Sequence, residues 1–225
     1  MKRMRLAELV LDFDLYPRAE VDSQHVHYLC DALEAGADLP PIIADKESKR
    51  VIDGFHRYRA HKRLFGEDAT VAVVLKAYGS EAEMFLDAMR YNAGHGRSLT
   101  TFDRAHSVLR AEAFGISPEQ VASALSITAE AVGRLRAERV GTLKVAGATA
   151  KTIPLKRTIR HMAGRELTAP QAEANAKLSG MEQLFYVNQL IMLIENDLLD
   201  TSNDRLMDAL AKLTGLLTKE QRRAA

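Results

Sequence analysis

Residues 117–139 read SPEQVASALSITAEAVGRLRAER, and this stretch decides the fold class of the centre of the chain. Ser117 has the position of a helix cap, and Pro118 follows at the first helical position, where proline is favoured. Thr128 has the position of a second cap, shortly after a break at Ser126. The stretch therefore predicts two short helices joined by a tight turn.

The apolar and small residues of this stretch have the spacing of a helix-turn-helix. Ala122 is a small residue that lets the second helix approach closely, and Ser126 is the small residue of the turn. The predicted shared core consists of Val121, Leu125, Ile127, Val132 and Leu135. Two ordinary packed helices would show similar spacing, so the pattern favours a DNA-binding motif without requiring one.

The distribution of charge strengthens the DNA-binding interpretation. The chain has 31 basic and 30 acidic residues, a net charge of +1, yet residues 134–165 contain nine basic residues and Glu138 as their one acidic residue. Basic charge concentrated beside a recognition helix is typical of a polyanion partner, although a solvated basic surface is the alternative. The predicted DNA-binding residues are Ser117, Thr128, Glu130, Arg134, Arg136, Arg139, Lys151, Lys156, Arg157 and Arg160. Thr128, Glu130 and Arg134 are expected to read bases, and the basic residues that follow are expected to neutralise phosphates.

The sequence before this stretch alternates strand and helix patterns, which is typical of a small mixed α/β domain. The predicted strands cover 10–13, 41–44, 50–52 and 71–75, and the predicted helices cover 22–35, 55–65 and 80–91. From residue 98 onwards the pattern is helical. The fold class is therefore predicted as α+β, with a pocket domain at 1–97, a helix-turn-helix domain at 98–142, a basic linker at 143–166 and a helical region at 167–225.

The last of these regions is predicted to contain two amphipathic helices separated by a polar break at 200–203. Their apolar positions repeat every three or four residues and are Leu184, Val187, Ile191, Ile194, Leu198, Leu206, Leu210, Leu213 and Leu217. This apolar surface is too large for lone helices in water. The helices are expected to form a hairpin that pairs with a second copy of the chain, with folding back onto the body as the alternative.

Composition excludes several classes of protein. Apolar runs such as Leu190–Ile194 are far shorter than the roughly eighteen residues that a membrane span needs. Cys30 is the one cysteine, so neither an internal disulfide nor a cysteine zinc cluster is expected. No pair of histidines has convincing zinc spacing, and no metal site is predicted. These features favour a cytoplasmic protein, associated with the nucleoid if it binds DNA.

A second candidate site begins where a predicted strand runs into Gly54 and then into a helix. A glycine permits close backbone approach, and free amides at a helix start favour phosphate oxygens. Two glycines flanking His95 could form an anion-binding turn. The candidate nucleotide-binding residues are Gly54, His56, Arg57, Arg59, Asn92, His95 and Arg97. A helix that merely displays surface arginines is the alternative.

These motifs occur together in one family. From about Leu6 to Arg139 the chain resembles the ParB-like DNA-binding proteins of the ParB/sulfiredoxin-like superfamily. The motifs that carry the resemblance are Tyr16-Pro17-Arg18, Pro40-Pro41-Ile42-Ile43, Val51–Ala60, Asn92–Leu99 and the predicted helix-turn-helix. The resemblance implies sequence-specific binding to double-stranded DNA, in plasmid or chromosome partition or in transcription regulation. A homodimer is expected because helix-turn-helix domains commonly use two-fold symmetry to reach two half-sites, and a partition ATPase is the partner expected if the role is partition.

The family's nucleotide pocket consists of a Gly-x-x-Arg-x-x-Ala element and an Asn-x-x-Arg-like element, and in the partition proteins it holds CTP. Gly54, Arg57 and Ala60 match the first element. Asn92 matches the start of the second element, but His95 stands where arginine is expected.

One departure concerns the metal. Partition members carry a glutamate immediately before the asparagine, and this glutamate helps to hold magnesium. Tyr91 occupies the position here, and a tyrosine is a poor magnesium ligand. The resemblance therefore implies CTP binding, with magnesium binding and CTP hydrolysis disfavoured.

Two enzymes of the same superfamily provide alternatives. Sulfiredoxin needs a cysteine where this chain has Phe55, so its chemistry is excluded. Free-serine kinases, which use ADP or ATP, have an Asp-Gly-His-His-Arg element similar to residues 53–57. Their catalytic base would be sought among Asp12, Asp14, Glu20 and Asp53. Such a kinase has no use for a helix-turn-helix or a basic segment, so DNA binding is favoured.

Overall fold

The computed structural model describes residues 1–94, 97–144 and 149–224. The chain divides into two compact units, Met1–Gly180 and Met181–Ala225. The first unit contains both sheets described below, and the second contains two helices. The predicted α+β class is confirmed.

The N-terminal sheet has the strand order β1-β4-β2-β3. Its strands are β1 (Lys2–Arg5), β2 (Ile42–Asp45), β3 (Val51–Asp53) and β4 (Thr70–Lys76). β2 and β3 form the predicted antiparallel hairpin, while β2 pairs with β4 in parallel. β1 was not predicted, and the strand predicted at 10–13 is wrong: Val10 forms an isolated bridge with Arg50, and a short 3-10 helix follows.

Three helices complete this part of the unit: α1 (Ser23–Glu34), α2 (Phe55–Phe65) and α3 (Glu81–Gly94). They agree closely with the predicted helices, because caps and glycine stops are local signals. Asp22 caps α1, with its carboxylate accepting from the Gln24 and His25 N–H groups. Gly54 begins α2 in the left-handed region at φ 108°, a conformation that favours glycine.

The helices α4 (Thr101–Ala113), α5 (Pro118–Leu125) and α6 (Ala129–Glu138) follow, as predicted. One apolar core joins them to the preceding elements, since Ile52 and Phe85 belong to the same cluster as Leu125 and Val132. α3 packs directly against α5. The predicted boundary between 97 and 98 is therefore not a boundary between compact units.

The segment expected to be a basic linker contains a second sheet, of order β6-β5-β7. Its strands are β5 (Val140–Leu143), β6 (Lys151–Pro154) and β7 (Glu166–Leu167), and a 3-10 helix lies at Arg157–Met162. Leu155 and Leu167 are buried. A Cβ at Gly141 would overlap Leu167 Cδ1, so a larger residue here would force the Leu167 side chain to shift. This part of the predicted linker is folded because a few large apolar residues, spaced between the basic ones, form a small core.

α7 (Ala169–Lys177) also belongs to the first unit. Asn175 anchors it to β6, because its Oδ1 accepts from the Lys156 N–H at 2.9 Å and its Nδ2 donates to the Pro154 carbonyl at 2.9 Å. The second unit consists of α8 (Gln183–Glu195) and α9 (Asp204–Ala224), with the predicted break between them. Each of the described helices is too short or too polar to cross a lipid bilayer.

Candidate nucleic-acid interface and nucleotide pocket

α6 is held by one face and exposed on the other. Val132 is buried and Leu135 is half-buried in the core shared with α4 and α5. Thr128 Oγ1 accepts from the Ala131 N–H at 3.1 Å and so caps the helix. Ser126 adopts a left-handed conformation at φ 54°, which explains why glycine is the residue expected in this turn. The caps and the turn together fix the direction in which α6 leaves α5.

The outward face of α6 displays the predicted base-reading residues. Thr128, Glu130 and Arg134 are exposed, and so are the small residues Gly133 and Ala137. Arg134 has no hydrogen bond or ion pair with any residue that the structure describes. A guanidinium in this position is available to a ligand, and small residues beside it permit close approach.

Other predicted DNA-binding residues have partners within the protein. Ser117 caps α5, with its Oγ accepting from the Gln120 N–H at 3.3 Å. The Arg136 Nε donates to both carboxylate oxygens of Glu112, at 2.9 and 3.2 Å. Arg139 is half-buried at the end of α6. Burial, and then the charges of Arg160 and Arg157, lower its pKa.

Lys156 differs most from its predicted role. Its ammonium donates to the carbonyls of Ala176 and Leu178, at 2.8 and 2.5 Å, and lies 5.6 Å from the ring centre of Phe102. A cation at a helix C-terminus satisfies carbonyls that have no partner within the helix. Lys156 therefore stabilises the end of α7 in this structure. Lys151, Arg157 and Arg160 are exposed, as a phosphate-contacting role requires.

The start of α2 has part of the predicted phosphate-binding geometry. A Cβ at Gly54 would come within 3.1 Å of Arg57 and Ile42 atoms, so the backbone and the arginine are close together. The first-turn N–H groups of α2 at residues 55–57 have no hydrogen-bond partner among the described residues. Arg57 Nη2, however, lies 2.6 Å from Asp53 Oδ2. An incoming phosphate would have to compete with this carboxylate.

His56 does not supply the positive charge expected of it. Its Nε2 accepts a hydrogen bond from the Asp22 N–H at 3.2 Å, and its ring lies edge-on to His25 at 4.9 Å. Burial first, and then the nearby positive charges, lower the pKa of His56 to about 4. The imidazole is therefore neutral at physiological pH and acts as an acceptor. Arg59 is exposed over the ring of Phe13, at 5.8 Å.

This depressed pKa predicts a pH dependence of stability. Between pH 6.5 and about 4 the unfolded chain binds a proton at His56 that the folded chain does not, so stability falls as the pH is lowered through this window. The contribution is at most about 1.4 kcal/mol per pH unit, and less because the ring is partly exposed. His56→Gln, whose side chain retains an acceptor, should lose stability less steeply than the wild type in urea titrations between pH 7 and 5.

The matched control for this prediction is His27→Gln, because His27 is exposed on α1. Burial also lowers the pKa values of His25, His61 and His106, so some pH dependence will remain in the His56 variant. Equal slopes for the His56→Gln variant and the control would contradict the assignment of a neutral, buried His56.

A buried arginine that the predicted site omitted organises the region around Asn92. Arg18 is 6% exposed, and its Nε donates to Asn92 Oδ1 at 3.1 Å. The rest of its guanidinium donates to the carbonyls of Arg97 and Ser98 and lies 3.8 Å from Asp103 Oδ2. Arg18 belongs to the Tyr-Pro-Arg motif at residues 16–18, but neither its charge nor its neighbours in sequence indicate that it is buried.

The hydrogen bonds and ion pairs around Arg18 also include other residues of the predicted nucleotide site. Arg97 forms an ion pair with Asp22, whose N–H also reaches His56. Asn92 donates to the Ala88 carbonyl at 2.9 Å and is buried. The structure thus connects His56, Asn92 and Arg97 through Arg18 and Asp22. His95 lies outside the described residues.

The carboxylates considered for a kinase base are largely engaged. Asp12 lies 3.1 Å from Arg50, Asp14 lies 2.7 Å from Arg110, and Asp53 is paired with Arg57. Within the described ranges, no group of three or more histidine, cysteine or carboxylate side chains could hold a metal ion. Tyr91, at the position of the family's metal-binding glutamate, lies beneath the Lys76 ammonium at 5.0 Å from the ring centre.

Comparison with known proteins finds two regulatory proteins. The Streptomycin biosynthesis operon possible regulatory protein of Streptomyces griseus is 34% identical over 131 residues, which are 57% of this chain and 36% of that protein. Transcriptional regulator NovG of Streptomyces niveus is 34% identical over 109 residues, which are 46% of this chain and 32% of that protein. The matched part thus spans about a third of the length of these relatives. No family model matches the chain.

Solved structures with partial similarity include two of a chromosome-partitioning protein and one of a ParB-N domain. ParB from Caulobacter crescentus, complexed to the centromeric parS site, is 17% identical with a TM-score of 0.44 and covers 60% of this chain and 70% of that one. The same protein with CTP-gamma-S has a TM-score of 0.37, with 60% and 75% covered. A Pnob8-like ParB-N domain is 16% identical with a TM-score of 0.39, with 68% and 56% covered.

The comparisons support the resemblance that the sequence motifs indicate. The motifs at residues 16–18 and 51–60 lie in one compact unit with Asn92 and the helices α5 and α6. The chain is similar to ParB-like proteins.

Proposed function

We propose that the chain binds double-stranded DNA with sequence specificity and regulates transcription, using α6 as its recognition helix. The observation that carries the proposal is the outward face of α6, which presents Arg134 without an internal partner and Thr128 and Glu130 at the helix start. The names of both curated relatives favour regulation over replicon partition. A partition ATPase partner and a nucleoid location stay predictions.

In this mechanism α5 and α6 act as a helix-turn-helix. A helix of about 15 Å fits the major groove, and residues early on its exposed face reach base edges. Arg134 can donate two hydrogen bonds to guanine, and Glu130 can accept from cytosine. Lys151, Arg157 and Arg160 are exposed and supply phosphate contacts, which position the helix and make affinity depend on salt.

The test begins with selection of bound sequences from a random DNA pool, which defines the cognate site. Arg134→Gln is then expected to weaken binding to that site by about 1–3 kcal/mol, the cost of losing a bidentate base contact. Binding to random DNA should change by less, because the contact is to a base. Fluorescence anisotropy on both DNA molecules, at one fixed salt concentration, measures the two losses.

Arg63→Gln is the control, since Arg63 is exposed on α2 and the substitution removes the same charge. Equal losses of affinity on cognate and random DNA would indicate that Arg134 contacts the phosphate backbone instead of a base. A pool that yields no enriched sequence, together with no binding at low salt, would refute the proposed function itself.

We also propose that the second unit pairs with a second copy of the chain. In this unit the apolar residues of α8 are widely exposed, among them Leu184, Val187, Ile191 and Ile194. Two-fold symmetry would present two α6 helices to two half-sites of an operator.

We propose further that the start of α2 binds CTP without hydrolysing it. Support comes from the left-handed Gly54, the open first-turn amides and the proximity of Arg57. Arg57 must leave Asp53 to reach a phosphate, so this ion pair is expected to weaken nucleotide binding. Calorimetric titration with CTP, ATP and ADP tests this proposal. A heat of binding in the ADP titration, together with phosphorylation of free serine, would instead establish the kinase alternative.

A further inference from the structure

A cavity of about 530 Å³ lies in the first unit, apart from the start of α2. Its walls are residues 18–23, the start of α4 at 100–103, Arg139 at the end of α6, residues 155–157 and residues 179–180, with Arg97 at one side. Of the described members of the predicted nucleotide site, Arg97 lines this cavity. The volume is in the range of small-molecule sites, and a small molecule here would touch both α4 and the end of α6.

The lining of this cavity is rich in positive charge. Arg18, Arg97, Arg139, Lys156 and Arg157 face three acidic residues. Those three are Glu20, Asp22 and Asp103, and two of them are already paired with Arg97 and Arg18. Lys156 is bound by backbone carbonyls, which satisfy its hydrogen bonds but do not cancel its charge. The cavity therefore has an excess of cations in a partly desolvated place, where charge interactions are strong.

Arg139 lines this cavity with its charge only partly compensated, by the neighbouring Glu138. The Arg139 side chain is half-buried, and no carboxylate of the described residues forms an ion pair with its guanidinium. Burial first, and then the positive charges of Arg160 and Arg157, lower its pKa. A buried charge without a partner is costly, and an anion in the cavity would relieve that cost.

The start of α4 adds donors to the cavity, and Phe102 and Leu155 add apolar surface. The first-turn N–H groups of Thr101 and Phe102 have no hydrogen-bond partner in the described parts of the chain, while Thr100 caps the Asp103 N–H. These amides lie at the positive end of the α4 dipole. The Phe102 ring and the Leu155 side chain provide a hydrophobic wall beside the charges.

We propose that this cavity is an effector site for a small organic anion, one that carries a phosphate or carboxylate group on an aromatic or aliphatic body. The anionic group would bind Arg139, Arg157 and the first-turn amides of α4, and the body would pack on Phe102 and Leu155. The site is separate from the proposed CTP site at the start of α2.

The position of Arg139 suggests what such an effector does, and this step rests on the proposed function. Arg139 ends the recognition helix, and its carbonyl accepts from the Leu155 N–H at 2.7 Å. An anion that binds the Arg139 guanidinium removes a cation from the edge of the DNA-binding surface. Binding of the effector therefore lowers DNA affinity, and by linkage DNA lowers affinity for the effector.

The experiment uses the full chain and phenyl phosphate, a dianion with an aromatic body, as the probe. Calorimetry without DNA should show saturable binding that is stronger than that of inorganic phosphate, which has the charge but no body. Arg139→Gln and the exposed Arg157→Gln should each weaken phenyl phosphate binding about tenfold or more, as expected for a lost charge-assisted hydrogen bond. Arg63→Gln removes an equal charge outside the cavity and should bind like the wild type.

Each outcome is decisive. No binding of phenyl phosphate, binding no stronger than that of inorganic phosphate, or an equal loss in the Arg63→Gln control would overturn the site. In a second arm, saturating phenyl phosphate at constant ionic strength should lower the DNA affinity of the wild type and leave that of Arg139→Gln unchanged. An unchanged wild-type affinity would overturn the coupling. Failure of DNA binding altogether would refute the proposed function, while calorimetry without DNA still decides the cavity.

Discussion

Replacing Arg18 by methionine is expected to lower the free energy of unfolding by about 3–5 kcal/mol, the range for removing one partner of a buried charged pair. The Arg18 guanidinium is buried and donates to Asn92 Oδ1 and to the carbonyls of Arg97 and Ser98. Methionine fills most of the apolar volume but supplies no donors, so these acceptors lose their partner in the interior. Urea denaturation followed by circular dichroism measures the loss.

The control for Arg18→Met is Arg63→Met, which makes the same chemical change on an exposed face of α2. A surface substitution of this kind changes stability by about 0.5 kcal/mol or less. If the two variants were equally stable, Arg18 would not hold residues 92–103 against the N-terminal segment. The network around Asn92 and Arg97 would then have no structural role.

Leu155→Ala is the second substitution with a large expected effect, a loss of about 2–5 kcal/mol. Leu155 is fully buried beside β6, which packs against α4. Truncation removes apolar burial and leaves a cavity that the neighbouring elements close only in part. Since α4 also packs against α6, the second sheet supports the position of α6, the proposed recognition helix. Thermal and urea denaturation both measure the loss.

Lys151→Ala provides the comparison for this substitution, because Lys151 lies on the same sheet with its side chain exposed. Its stability should stay within about 0.5 kcal/mol of the wild type. If residues 143–166 were an unfolded linker, Leu155→Ala would change the free energy of unfolding as little as Lys151→Ala does. That result would contradict the packing of the second sheet against α4.

The helices α5 and α6 could be predicted because the sequence signals that mark their ends are local. Ser117, Pro118 and Thr128 mark where α5 and α6 begin, and the structure shows both hydroxyls accepting from backbone N–H groups as caps do. The exposure of Arg134 also followed from the sequence, since the three-to-four spacing of Val132 and Leu135 assigns the opposite face to the core. Amphipathic periodicity settles such questions within one helix.

The second sheet could not be predicted, because short strands are stabilised by partners distant in the chain. β5 pairs with β6 and also with β7, whose residues lie more than twenty positions away. Between these strands the abundance of lysine, arginine, glycine and threonine resembles a solvated linker. The buried residues Val140, Leu155 and Leu167 are widely spaced and form no periodic pattern. Their packing therefore becomes visible only in the tertiary structure.

The sequence by itself determined the α+β class, the positions of α5 and α6, and which face of α6 is exposed, since caps, spacing and charge act over a few residues. The tertiary structure alone decided which cations are available. It buries Arg18 in the interior, ties Lys156 to the end of α7, pairs Arg57 with Asp53, and leaves Arg139 beside a cavity without an ion-pair partner among the residues that the structure describes. The physical reason is that burial and ion pairing depend on residues brought together from distant parts of the chain, and the free energy of a charge depends on that environment more than on its own identity.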